Sequence, residues 1–225
     1  MSIKFVYFDL GNVLVQVDQV KAGEQLKIWL NKINLYNTNS KISLIDLYKI
    51  VNESSHKNDW DLGLIDENQY MEDILNQLTP LQRDNAQLIK QGIKILCDNS
   101  FKPMTLEGQL NTAIQQIKHN NPQIKIGILS NTCDAHWSYI SDKFQIVKDT
   151  QWDQIILSYQ HGYAKPDDRI FQIAHQATKV NKDQVLFIDD IDQNVEAARQ
   201  FGWHSHTALS GLDIMHYLAT YGLID

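Results

Sequence analysis

Arginine is scarce in this chain: of 20 basic residues only Arg83, Arg169 and Arg199 carry a guanidinium. Acidic residues outnumber basic ones by 27 to 20, which leaves a net charge of −7 and an isoelectric point near 5.5. Such a chain lacks the basic stripe that a nucleic acid or an anionic membrane surface requires, so neither is expected as a partner. Cysteine is nearly absent. Cys97 and Cys133 are the two present, too few for a disulfide framework and without metal-site spacing, which fits a reducing compartment. Long apolar runs are missing as well. The opening MSIKFVYFDL is short and interrupted by an aspartate, unlike a secretory signal or a membrane span. Internal repeats and low-complexity tracts are also lacking. These absences predict a cytoplasmic globular protein and leave the assembly state open.

What is present is enough for one large domain, or for one domain carrying an insertion: 225 residues, 43% of them hydrophobic and 21% charged. Four short apolar runs without polar alternation read as buried parallel strands. They are Ile3–Phe8, Ile124–Leu129, Gln154–Leu157 and Val185–Ile188, with a weaker fifth near Ser205–Leu209. Helical spacing separates them, in Leu110, Ala113, Ile114 and Ile117, in Ile170, Phe171, Ala174 and Ala177, and in Val195, Ala198 and Phe201. Strand and helix alternating in this way predict a doubly wound, Rossmann-like α/β fold whose ligand site lies outside the carboxyl ends of the strands.

Residues from about 18 to 99 differ. No strand-like run occurs there, only amphipathic stripes: Leu26, Trp29, Leu30 and Ile33; Leu44, Leu47, Tyr48 and Val51; Tyr70, Ile74 and Leu78; Leu88, Ile89, Ile93 and Leu96. Asp66 followed by Gln69 is a capping-box pattern for the third of these, and 37-NTNSKIS-43 reads as a polar loop. The expected organisation is a core domain of residues 1–17 and 100–225, interrupted after the first strand by a helical domain of residues 18–99.

Polar groups collect where the strands end. Asp9 follows the first, Ser130 and Asn131 the second, and Asp189 and Asp190 the fourth, while Lys165 stands in the loop 161-HGYAKPDDRIF-171. Singly these are commonplace: Ser-Asn caps helices, Lys-Pro marks a solvated turn, and an Asp pair complements a helix dipole. Converging on one crevice, they contain a nucleophile, a metal site, a hydroxyl and a cation. That set supports phosphoryl transfer, in which a carboxylate attacks phosphorus. Mg²⁺ held by carboxylates allows the two anions to approach, while a lysine and hydroxyl donors hold the phosphate oxygens.

The motifs FDLGNVLV, ILSNT, Lys165-Pro166 and FIDDIDQN, in this order and spacing, resemble those of the haloacid dehalogenase (HAD) superfamily. Within it the chain is most similar to the bacterial α-D-glucose-1-phosphate phosphatases and the N-terminal phosphatase domain of soluble epoxide hydrolase. The resemblance implies a Mg²⁺-dependent phosphatase of a small phosphorylated metabolite, such as a sugar phosphate. It makes Asp9 the nucleophile and a metal ligand, Gly11 a ligand through its carbonyl, and Asp190 the main metal carboxylate, with Asp189 and Asn194 behind it. Ser130 and Asn131 would bind phosphate, Lys165 would steady phosphate and Asp9, and the helical insert would be a cap closing over the substrate.

One departure is plain. Most superfamily phosphatases carry an aspartic acid two residues after the nucleophile, where it acts as acid and base; here that position is Gly11. Such help is worth roughly 10²–10⁴-fold. Asp18, His136 and His161 are the polar candidates to replace it, each as readily explained as a loop or capping residue. Trp60, Asp61 and His56 are the candidate cap contacts, with helix packing the commoner use of Trp60 and His56. Two other readings compete: a metal-free 2-haloacid dehalogenase, disfavoured by the Asp189–Asp190 charge beside Asp9, and a catalytically inactive binding module.

Overall fold

The computed structural model describes residues 2–32, 51, 55–78 and 86–225. The predicted loop 37–43 and most of the second helical stripe lie outside the described residues, as do the side chains of Leu78, Leu88 and Ile89.

Five strands form one parallel sheet: β1 (Phe5–Phe8), β4 (Lys125–Ser130), β5 (Gln154–Leu157), β6 (Val185–Asp189) and β7 (His204–Thr207), in the order β5-β4-β1-β6-β7. All five expected runs are strands; Gln154–Leu157 matches to the residue and the other four differ by one or two residues at one or both ends. Their lack of alternation has a physical cause: helices cover both faces. Val6, Phe8, Ile126, Ile128, Leu186 and Ile188 point into one core, where α5 (Glu107–Asn120) buries Leu110, Ala113, Ile114 and Ile117 and α11 (Gly211–Thr220) buries Ile214 and Leu218. Phe5, Tyr7, Leu129, Val185 and Phe187 point into the other, against α9 (Asp168–Thr178) and α10 (Asp192–Phe201). The central strand β1 is shut off from solvent on both faces.

Between β1 and β4 the chain makes a two-stranded antiparallel ladder of β2 (Val15–Val17) and β3 (Phe101–Pro103). Helices α1 (Gln19–Lys32), α2 (Ser55–Asp61), α3 (Glu67–Leu78) and α4 (Ala86–Ser100) lie between these two strands, which tie together the two ends of the insertion. Leu26, Trp29, Leu30, Tyr70, Met71, Ile74 and Leu96 form its own apolar cluster. The Asp66–Gln69 capping box closes reciprocally, with Gln69 N donating to Asp66 Oδ1 at 2.8 Å and Asp66 N to Gln69 Oε1 at 3.0 Å. Helices α6 (Asp134–Lys143), α7 (Gln145–Lys148) and α8 (Ser158–His161) and a 3-10 turn at Lys182–Gln184 are the other helical elements among the described residues. None of the described helices is long and apolar enough to cross a membrane.

Candidate active site

The sheet order places β1 between β4 and β6, so the chain leaves the carboxyl ends of three adjacent strands at one point, the usual ligand site of such sheets. Asp9 leaves β1 there, its backbone N donating to Ile188 O at 2.8 Å. A cavity of about 540 Å³ opens above it. Of the expected site residues, Asp9, Gly11, Ser130, Asn131, Lys165, Asp190 and Asn194 line it, with Asp18 and His136. Asp189 lies behind the wall, fully buried.

Lys165 organises the floor. Burying an ammonium costs several kcal/mol unless its charge and donors are met. The side chain is 1% exposed and Nζ sits 2.8 Å from Asp9 Oδ1 and 2.6 Å from Asp189 Oδ2, with Leu129 O accepting at 2.9 Å. Burial alone would depress its pKa; Asp189 and Asp9 outweigh burial and the net shift is upward, so the ammonium stays charged. Asp189 is saturated: besides Lys165 it accepts from Ile191 N at 2.8 Å and from Asn194 Nδ2 at 3.1 Å on both oxygens.

Asp9, Asp189 and Asp190 each bring a carboxylate oxygen within 4.8 Å of the others. Three carboxylates against one lysine leave two negative charges unbalanced, and the strain shows in the acids themselves. Asp9 is raised to about 7, first by burial, with Lys165 pulling it down and Asp189 pushing it up. Asp190 is raised too, mainly by burial, against a hydrogen bond from Asn12. An all-oxygen cluster with surplus negative charge is the donor set a hard divalent cation requires, and the residues present fit one.

Two asparagines hold the site together in ways the sequence does not announce. Asn131 lines the cavity, and its side chain also clamps the Lys165 backbone: Oδ1 accepts from Lys165 N and Nδ2 donates to Lys165 O, both at 2.8 Å. Asn12, which sequence reasoning missed, adopts φ 54°, donates from Nδ2 to Asp190 Oδ2 at 2.9 Å and accepts from Val17 N at 3.0 Å. Its signal was the Gly-Asn pair, a dipeptide suited to a left-handed turn.

The three candidates for the missing acid fit poorly. Asp18 caps α1 by accepting from Lys21 N and pairs with Lys102 at 2.9 Å; the Lys102 hydrogen bond chiefly lowers its pKa, so it is an anion. His136 is wedged between Trp60 and Phe101, with ring centroids at 5.1 and 4.9 Å. Burial, helped by Lys57, pushes it down to about 3, so it is neutral. His161 ends α8 outside the cavity wall. Position 11 itself is not closed to a side chain by backbone conformation; a Cβ there would meet only Val17 Cγ2, at 3.1 Å.

Of the expected cap contacts, only Asp61 lines the cavity. Trp60 is 2% exposed and stacks on Tyr70 at 4.2 Å, and His56 faces Asp73 at 3.4 Å. Lys57, not singled out in the sequence, lines the cavity and pairs with Asp61. Ser158 is a second omission: fully buried, its Oγ accepts from Thr132 N at 2.9 Å and donates to the Asp61 carbonyl, tying α2 to the ends of β4 and β5.

A parallel sheet with an aspartate–lysine–aspartate group at its carboxyl edge and helices inserted after the first strand defines a carboxylate-centred α/β hydrolase. The family model for haloacid dehalogenase-like hydrolases matches residues 3–202, and the chain belongs to that family. The HAD family enzyme BT-2542 from Bacteroides thetaiotaomicron superposes with a TM-score of 0.73 at 22% identity, over 97% of this chain and 99% of that one. The same enzyme is known in complex with magnesium and inorganic phosphate. At this identity the likeness is one of fold. Acyl-CoA dehydrogenase family member 10 of Mus musculus is 29% identical over 96 residues, 43% of this chain and 8% of that protein. The GMP/IMP nucleotidase YrfG of Escherichia coli K12 is 35% identical over 54 residues, 24% of this chain and 24% of that protein. The matches thus span under a quarter of either curated relative's length.

Proposed function

We propose that this chain is a Mg²⁺-dependent phosphomonoesterase acting on a small phosphorylated metabolite. The carrying observation is the Lys165 ammonium between Asp9 and Asp189, in a three-carboxylate cluster at the floor of the cavity. Asp9, Asp190 and the Gly11 carbonyl would hold the cation, which when bound neutralises the charge between carboxylate and phosphate. Asp9 supplies the oxygen lone pair that bonds to phosphorus as the ester oxygen departs, giving an aspartyl-phosphate. Ser130 donates its hydroxyl to a phosphate oxygen, and Lys165, held charged, fixes Asp9 and places a positive charge beneath the phosphate without a direct hydrogen bond to it. Water then attacks phosphorus and frees Asp9. The helices of the insertion serve as the cap that limits water.

No residue at position 11 protonates the departing oxygen, which favours leaving groups that are stable as anions. Similarity of the DLGN, LSNT and Lys-Pro motifs to the glucose-1-phosphate phosphatase group supports a sugar phosphate as the finer reading. The dehalogenase alternative is weakened by the cluster around Asp9: Lys165 alone does not offset Asp189 and Asp190, and burial with the Asp189 charge raises the Asp9 pKa, which works against a metal-free carboxylate nucleophile. BT-2542, known with magnesium and phosphate, supports the phosphatase reading.

The test is hydrolysis of p-nitrophenyl phosphate with and without Mg²⁺. Turnover should require the metal and fall at least ~10³-fold in Asp9→Asn, the scale of losing a covalent nucleophile. Metal-free halide release from 2-chloropropionate would establish the dehalogenase instead, and absence of both activities together with failure to bind Mg²⁺ and phosphate analogues would leave only a binding module.

A further inference from the structure

We propose that the Lys57–Asp61 ion pair reads the leaving group, and that it admits monophosphates of neutral, hydroxylated molecules while refusing those with a second anionic group. This rests on the phosphatase reading above and deepens it. Both residues line the cavity that holds Asp9, Ser130 and Asp190. They stand one helical turn apart on α2 as an (i, i+4) pair with side chains 17% and 20% exposed. Asp61 Oδ2 meets the lysine, but Oδ1 is buried and has no hydrogen-bond partner among the described residues. A buried acceptor without a donor is costly, and a turn of the Asp61 carboxylate toward the cavity it lines would present that oxygen to a substrate hydroxyl. An acceptor beside an ammonium donor also suits neighbouring hydroxyls, each of which donates and accepts.

The pair is fixed relative to the phosphate end. Ser158 Oγ donates to the Asp61 carbonyl and accepts from Thr132 N, two residues beyond Ser130. In the turn after α2, Gly63 at φ 69° approaches Tyr159 so closely that a Cβ would collide with the Tyr159 carbonyl oxygen. The reader therefore moves with α8 and the end of β4.

Charge decides against a second anion. Asp9, Asp189 and Asp190 exceed Lys165 by two negative charges. A divalent cation cancels these, and a phosphate dianion restores a surplus of two. Among the described residues the cavity-lining cations are Lys57 and Lys165, and each already faces a carboxylate. Asp18 is matched by Lys102. A substrate carboxylate or second phosphate would meet repulsion in a low-dielectric cleft with no cation to offset it.

The experiment compares kcat/KM, with Mg²⁺ present, for pairs differing by one anion: glycerol 3-phosphate against 3-phosphoglycerate, and glucose 6-phosphate against 6-phosphogluconate. p-Nitrophenyl phosphate serves as the hydroxyl-free reference. The neutral member of at least one pair should be hydrolysed, and preferred by about tenfold or more. The double variant Lys57→Met/Asp61→Leu removes both charges together, so that neither is left buried alone. It should lower kcat/KM for the neutral substrate, relative to p-nitrophenyl phosphate, by about tenfold or more. Preference for the anionic members, hydrolysis of p-nitrophenyl phosphate with neither neutral member accepted, or an equal fall for both substrates in the variant would overturn the proposal and leave the phosphatase reading standing. No turnover of p-nitrophenyl phosphate at all would overturn both.

Discussion

Lys165 and His136 are both pushed toward the neutral form by burial, and their neighbours decide the opposite outcomes. The lysine keeps its charge because two carboxylates and a carbonyl surround it. Lys165→Met would leave Asp9 and Asp189 facing one another without a cation, and removing one partner of a buried ionic group typically costs about 3–5 kcal/mol. Urea unfolding of the metal-free variant should show a loss of that order, and Asp9→Asn added to it should recover part. The histidine gives up its charge because packing between Trp60 and Phe101 leaves its ring poorly solvated and Lys57 repels a proton. In the unfolded chain His136 binds its proton near pH 6.5, whereas in the fold it resists until about 3. Its contribution is therefore complete above about pH 6.5 and is lost as pH falls toward 3. The ceiling is about 4–5 kcal/mol, reduced because the ring borders a solvent-filled cavity. Stability measured from pH 7 to 4 should fall less steeply in His136→Phe, which keeps the aromatic packing.

At the level of elements, a very short helix positions a contact between distant parts of the chain. α8 is four residues long, yet its first residue, Ser158, joins α2 to the loop that follows β4. Ser158→Ala would leave the Thr132 N–H and the Asp61 carbonyl each without this partner, a loss of about 1–3 kcal/mol for groups kept from water. Amide exchange in α2 should quicken in that variant while β1 and β6 stay protected. An equal quickening throughout would make Ser158 a general core residue rather than a latch. These devices were the least legible part of the chain. β1, β4 and β6 announce themselves because burial on both faces demands unbroken apolar runs, and Asp9, Ser130 and Asp190 were legible because they stand directly at those strand ends. β2 and β3 are three residues each, and β3 is half-buried to exposed, too short to impose a pattern. Lys57 looks like any lysine on a polar helix face until α2 is placed over the cavity. No sequence pattern reveals that the Asn131 amide also holds a backbone 34 residues away.

On the scale of the whole molecule, the net charge of −7 and the unbalanced carboxylate cluster act in the same direction. The folded chain gathers at one point acids that the unfolded chain keeps apart, so part of the folding free energy opposes assembly of its own site. A cation that binds the folded cluster and not the unfolded chain returns that energy as stability, by about 2.7 kcal/mol at a hundred times its dissociation constant. For a domain of this length each kcal/mol raises Tm by about 2–4 °C, so saturating Mg²⁺ should raise Tm by roughly 5–10 °C and EDTA should reverse it. Asp190→Asn removes a carboxylate from the cluster and should abolish most of the shift. Asp18→Asn alters an acid that lines the same cavity but serves as the α1 cap, a place where asparagine substitutes well. It should keep the full shift. If both variants lost it equally, the metal effect would come from the overall charge of the molecule; if only Asp190→Asn lost it, the effect belongs to the cluster at the end of β1 and β6, where Asp9 then has the cation its raised pKa calls for.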